Sequence, residues 1–190
     1  MDFPSGVVTF LFSDIEASTR LWESDPDGMR SSLARHDEIV QERVDAAGGV
    51  VFKHTGDGFA AAFASATAAL ASATAIAATL ASEPWVGPAL HVRIGLNSGE
   101  AEPSDGDYFG PTVTRTARVM DAGNGGQIVV SDSAASLMGD RSPDRTVVLD
   151  AGEHRLKDLG EPIRLHRVIS PGAEDGRPLR TLEQAPHNLP

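Results

Sequence analysis

The sequence predicts an α+β domain, with a β-α-β-β-α-β core sheet of ferredoxin-like type and helices on one face. Three observations predict it. Residues 7–12 form a β-branched and aromatic run, and apolar residues then recur at steps of three and four, which reads as strand then helix. Residues 50–54 and 59–63 are short apolar runs flanking Thr55-Gly56-Asp57-Gly58, whose Asp-Gly pair marks a tight hairpin. An alanine-rich stretch and an alternating strand follow, closing two strand-helix units joined through that hairpin.

Each element has its own signal. The first strand ends at Ser13-Asp14. Ser18 or Asp25 is placed to cap helical turns toward Ala47, with Met29, Leu33, His36, Val40 and Val44 on one face. Gly48-Gly49 stops that helix. Residues 65–82 are alanine-rich, with Leu70, Ile76 and Leu80 as the larger apolar side chains. Alanine combines high helix propensity with little bulk, so this helix should lie close on a sheet. Pro84 and Pro88 bracket a loop containing Trp85. Residues 90–98 alternate, with Leu90, Val92, Ile94 and Leu96 on one side and His91, Arg93 and Asn97 on the other. Residues 102–106 are a polar loop. Residues 110–122 read as a helix ending at Gly123-Asn124-Gly125-Gly126. Residues 128–130 are a short strand, and Ser131 or Asp132 caps a short helix to Met138. Residues 146–149 and 163–169 close a domain spanning 1–170. Residues 171–190 hold four prolines and few large apolar residues, which predicts a mobile tail. The second sheet face is left to loops or a partner.

Composition narrows the function. Sixteen basic against 27 acidic residues give a formal charge of −11. That argues against nucleic acid and against anionic lipid as partners. There is no cysteine, so disulfides, thiol nucleophiles and zinc knuckles are excluded. No apolar run reaches the ~20 residues of a membrane span, and the first strand lacks a signal peptide's basic flank. The chain reads as soluble and cytoplasmic. The six histidines show no metal-ligand spacing, and no Walker A, G-x-G-x-x-G or G-x-S-x-G pattern occurs.

What remains is a set of carboxylates and cations. Asp14 stands just past an apolar strand, and Asp57 at a glycine-flanked hairpin tip. Two carboxylates at neighbouring strand ends can converge on a hard cation such as Mg²⁺, which phosphate and water then complete. Gly56 and Gly58 let a bulky ligand approach the backbone. Amides at Ala17, Ser18 and Thr19, opening a helix, can hold phosphate. Lys53, Asp107, Arg115 and Arg118 are further polar candidates. A plainer reading stays open for each: a cap, turn chemistry, a sheet lysine, a loop aspartate, a solvated helix face.

Taken together, the pieces resemble the catalytic domain of class III nucleotidyl cyclases, the adenylate and guanylate cyclases, and especially a bacterial subgroup. The motifs run in family order from Gly6 to Val168. They are VTFLFSDIEAST from Val8, FKHTGDGF from Phe52, VRIGLNSG from Val92, DYFG from Asp107, VTRTAR from Val113 and LKDLG from Leu156. The resemblance implies a head-to-tail homodimer that uses ATP, with active sites shared between chains. Asp14, Asp57 and the carbonyl of Ile15 match the ligands of two divalent metal ions, Mg²⁺ or Mn²⁺. Lys53 and Asp107 match the adenine-recognising pair, and they would serve a different site from the Asp57 of their own chain. Arg118 matches the arginine that steadies the transferring phosphate, and Lys157 the lysine that binds the terminal phosphates. The product would be 3′,5′-cyclic AMP, formed by in-line attack of the ribose 3′ oxygen.

Two residues depart from the pattern. Thr114 stands where asparagine orients the ribose, which implies a weak enzyme. Ala17 stands where glycine is usual. A silent nucleotide-binding dimerisation module is the alternative that Thr114 leaves open. A diguanylate cyclase relative is disfavoured, because no Gly-Gly-Asp/Glu-Glu-Phe signature occupies the hairpin.

Overall fold

A computed structural model describes residues 3–139, 142–143, 145–173, 176–181 and 183–184. One eight-stranded sheet runs through it in the order β2-β3-β1-β4-β5-β7-β6-β8. The strands are β1 (Gly6–Ile15), β2 (Val50–His54), β3 (Gly58–Phe63), β4 (Val92–Ala101), β5 (Ile128–Ser131), β6 (Val147–Arg155), β7 (Ile163–Ile169) and β8 (Glu183–Gln184). The helices are α1 (Ser18–Ser24), α2 (Pro26–Ala46), α3 (Ala66–Ser82), α4 (Pro111–Asp121) and α5 (Asp132–Met138). The order β2-β3-β1-β4, antiparallel throughout, is the expected β-α-β-β-α-β core.

The turns toward Ala47 form two helices rather than one. Asp25 is extended, at φ −150° and ψ 80°, and its carboxylate accepts from the Gly28 amide at 3.0 Å. Pro26 then opens α2 from the position where its missing N–H costs nothing. Ser65 caps α3, accepting from the Ala68 amide. The main core joins one sheet face to α2, α3 and α5 through Leu11, Met29, Val40, Phe63, Leu70, Ile76 and Leu96. Ala66, Ala69, Ala73 and Ala77 are buried on α3 beside Leu70, Ile76 and Leu80, and their small size lets that helix lie close to its neighbours.

The expectation that helices cover one face holds for α2, α3 and α5. Helix α4 lies on the opposite face, over β4 and β1. Gly95 makes this possible, because a Cβ there would stand 2.5 Å from the Met120 Cα. Asn97, placed by alternation on a polar side, is buried and donates to the Thr112 carbonyl at 3.1 Å, pinning α4 to β4. Beside α4 the same face carries an aromatic cluster. Tyr108 meets Phe10 at 4.9 Å and Phe52 at 5.0 Å between ring centroids, and Val8 and Val113 pack with them.

The described part of the segment after residue 170 makes contacts with the domain. Ala173 is buried, the Arg180 amide donates to the Ala122 carbonyl at 2.7 Å, and β8 pairs with β6. Leu179 packs against a small cluster containing Val119, Leu156 and Leu165. Residues 174–175, 182 and 185–190 lie outside the described residues. Strand β6 also runs to Arg155, well past residue 149, because β7 pairs with it along its length.

Candidate active site

Strand β1 is central and delivers Asp14 at its end, opposite Gly58 of β3 and Arg93 of β4. The hairpin between β2 and β3 delivers Asp57. Its turn closes through the Thr55 amide on the Gly58 carbonyl at 2.9 Å, with Gly56 at φ 90°. Gly58 is required here, since a Cβ would fall 2.1 Å from the Ser13 carbonyl oxygen. The Ile15 amide donates to the Asp57 carbonyl at 3.0 Å, which ties hairpin tip to strand end. Ser18 donates to Asp57 Oδ2 at 2.5 Å.

Burial pushes the Asp14 carboxyl above the usual range, and the charges of Asp57 and Asp121 add to that; the Arg93 hydrogen bond and charge oppose them. Arg93 donates to Asp14 Oδ2 through Nη2 at 2.5 Å and through Nε at 3.0 Å. From there an ion-pair chain continues to Asp121 at 3.7 Å, to Arg118 at 3.2 Å, and to Asp158 at 2.5 Å.

Among the described residues, no group of three or more His, Asp or Glu side chains could hold a metal ion. The donor set at Asp14, Asp57 and the Ile15 carbonyl is small and made of hard oxygens. That fits Mg²⁺ or Mn²⁺, which take few protein ligands. A cation there would also relieve the mutual repulsion of the two carboxylates.

A cavity of about 220 Å³ opens on the α4 face. Phe12, Phe52, Val113 and Met120 give it apolar walls, and Asp14, Lys53 and Asp107 also line it. Lys53 Nζ donates to Asp107 Oδ2 at 2.5 Å, and the Tyr108 amide donates to Oδ1 at 2.8 Å. The Lys53 hydrogen bond, with the Tyr108 amide helping, holds the Asp107 carboxyl below its ordinary range. The site therefore presents a fixed donor beside a fixed, ionised acceptor over an apolar slot. The reading that gives Asp57 and Lys53 to different active sites has this counterpoint: within one chain, Asp14 and Lys53 face one cavity.

The other predicted residues lie elsewhere. Arg118 and Lys157 share a second cavity of about 190 Å³. Thr114 is exposed on α4, its hydroxyl donating to the Gly110 carbonyl at 3.3 Å. Ala17 sits at φ 58°, a left-handed backbone that explains why glycine suits this place. The Ser18 and Thr19 amides belong to the first turn of α1 and take no partner inside the helix. Sequence reasoning missed two residues. Arg93 stands in the VRIGLNSG motif and among the polar side chains of an alternating strand without a role of its own, and its link to Asp14 spans 79 positions. Arg180 lay in the supposed tail.

Fold and site together define an α+β domain with paired carboxylates, a lysine–aspartate pair and a cavity lined by arginines and a lysine. Residues 3–164 match the family described as the adenylate and guanylate cyclase catalytic domain, and the chain belongs to that family. An uncharacterized protein of Mycobacterium tuberculosis is 36% identical over 189 residues, covering 98% of this chain. The chain spans 64% of that relative's length. An adenylate cyclase of Schizosaccharomyces pombe is 32% identical over 188 residues, covering 83% of this chain and 11% of that protein. Among solved structures, an adenylate/guanylate cyclase/hydrolase from Silicibacter pomeroyi aligns with TM-score 0.75 at 30% identity, covering 86% of this chain and 96% of that one. An adenylate cyclase from Trypanosoma brucei, in its monomeric state, shares the fold with TM-score 0.86 at 22% identity, covering 93% of this chain and 95% of that one. Among the described residues no helix is long and apolar enough to cross a membrane.

Proposed function

We propose that the chain is an adenylate cyclase, converting ATP to 3′,5′-cyclic AMP and pyrophosphate in a head-to-tail homodimer. The observation that carries this reading is the Lys53–Asp107 pair on the wall of an apolar cavity. Adenine offers an acceptor at N1 and a donor at N6. Lys53 donates to the first and Asp107 accepts from the second. Guanine offers the opposite pattern, so the pair selects ATP over GTP.

Asp14, Asp57 and the Ile15 carbonyl would hold Mg²⁺ or Mn²⁺. When bound, the metal supplies positive charge that acidifies the 3′ hydroxyl and neutralises the leaving group. The ribose 3′ oxygen forms a bond to the α-phosphorus and loses its proton. The bond from that phosphorus to the bridging oxygen breaks, and pyrophosphate leaves. Arg118 steadies the transferring phosphoryl oxygens, Lys157 takes the terminal phosphates, and the amides of Ala17, Ser18 and Thr19 border the phosphate path.

One observation favours low turnover or, as the second reading, a silent nucleotide-binding module. The Thr114 hydroxyl is engaged inside its own helix. The test is product formation from ATP and from GTP, with Mg²⁺ and with Mn²⁺, over a range of protein concentrations. Cyclic AMP whose specific activity rises with concentration supports the shared-site cyclase. Cyclic GMP alone overturns the base reading. No product from protein that binds ATP supports the silent module.

A further inference from the structure

We propose that Arg180 and Arg155 complete, with Lys157, an anion pocket for the pyrophosphate end of the nucleotide; this deepens the cyclase reading and rests on it. The cavity of about 190 Å³ is lined by Arg118, Arg155, Lys157 and Arg180. Asp121 is the acid on its wall, and Arg118 and Arg93 already engage it. Among the described residues no carboxylate pairs with Arg155, Lys157 or Arg180, and these three, unlike the other unpaired cations, gather around one cavity. In a chain of net charge −11, three exposed cations without a carboxylate partner around one cavity favour an anion there.

The pocket is built, not incidental. Arg180 arrives on a segment beyond the family-matched residues, and main-chain bonds fix that segment. Its own amide donates to the Ala122 carbonyl at 2.7 Å, Asn124 donates to the Pro178 carbonyl at 2.9 Å, and Gln127 donates to the Arg177 carbonyl at 2.7 Å. Asn124 and Gln127 are both buried. Leu179 packs onto the cluster of Leu156, the residue between Arg155 and Lys157. The guanidinium of Arg180 takes no part in this anchoring, so it is free to serve a ligand. Guanidinium groups grip phosphate oxygens through two parallel N–H bonds, and cyclisation of ATP leaves a diphosphate to be held and released.

The test is calorimetric binding of inorganic pyrophosphate, without divalent metal and at fixed ionic strength, to the full chain and to Arg180→Ala, Arg155→Ala and Arg164→Ala. Arg164 pairs with Asp150 on the exposed surface and controls for net charge. Arg180→Ala and Arg155→Ala should weaken binding about ten- to hundredfold, the effect of losing a charge-assisted hydrogen bond. Arg164→Ala should bind like the parent, and Arg180→Ala should keep the parent's Tm because its anchoring is main chain. Parent protein that ignores pyrophosphate overturns the proposal, as does an Arg180→Ala variant that binds it equally well. Arg180-dependent pyrophosphate binding in a chain that makes no cyclic nucleotide keeps the pocket and removes the cyclase reading. Cyclic AMP production with Arg180-independent pyrophosphate binding does the reverse.

Discussion

Substituting Gly95 probes how α4 is held over the sheet. Gly95 lies in β4, opposite Phe12 of β1 and Val129 of β5. A Cβ at this place stands 2.4 Å from the Met120 amide nitrogen, 2.5 Å from its Cα and 2.7 Å from its Cβ. Carbon atoms settle at about 3.5–4.0 Å, so the helix must retreat by roughly 1 Å. The obstruction is main chain, and no rotamer change relieves it. Overpacking of this kind costs about 1–3 kcal/mol. For a chain of this size that lowers Tm by roughly 2–12 °C. Helix α4 also carries Thr114 and Arg118, and a displacement of about 1 Å at catalytic groups costs on the order of 10²-fold in rate. Gly95→Ala should therefore fold, melt earlier and lose about 10²-fold in cyclic nucleotide formation. Gly176→Ala is the control, since a Cβ there meets nothing within 4 Å. Thermal unfolding by circular dichroism and product formation are read on the same samples. A Gly95→Ala protein with the parent's Tm and rate would refute the close seating of α4 on β4.

Three further outcomes are expected. Mixing equal amounts of Asp57→Ala and Arg118→Ala protein should restore about a quarter of parental activity, since half the dimers are mixed and each keeps one intact site; no recovery argues against sites shared between chains. Thr114→Asn should raise turnover by about 10²–10³-fold if a missing ribose donor limits the rate, and unchanged turnover clears Thr114. Asp14→Asn should raise the Tm of metal-free protein at neutral pH while abolishing activity. The sign follows from the raised Asp14 pKa: the folded chain holds the proton more tightly than the unfolded one, so its stabilising contribution is present at low pH and lost as pH rises through the folded value. The gain in Tm should vanish in acid, and a variant less stable than the parent at pH 7 would contradict the burial argument.

Much of this was legible in the chain itself. The strand runs, the Asp-Gly hairpin and the alanine-rich helix are local signals, and the structure keeps all three. Asp14 and Asp57 could be paired because each ends a recognisable element. Long-range chemistry was less visible. Asn97 looks like a solvent-facing residue of an alternating strand, yet α4 covers it and uses its amide. Arg93 finds its carboxylate only once β1 and β4 pair. The segment carrying Arg180 has the proline content of a tail. What holds it are buried amides of Asn124 and Gln127, some fifty positions earlier, and no spacing rule reaches that far.

The alanine face of α3 bears on how such a domain can change over time. Alanine surrenders no rotamer freedom on folding, so this helix docks at little entropic cost. The same economy leaves no slack. Ala69 and Ala73 are fully buried, and an added methylene at either would have to move strands that also position Asp14 and the hairpin. The cavities lie on the face bearing α4, so side chains on their walls have more room to change than the alanines of α3. The back of the sheet acts as a fixed datum against which new specificities on the front can be tried.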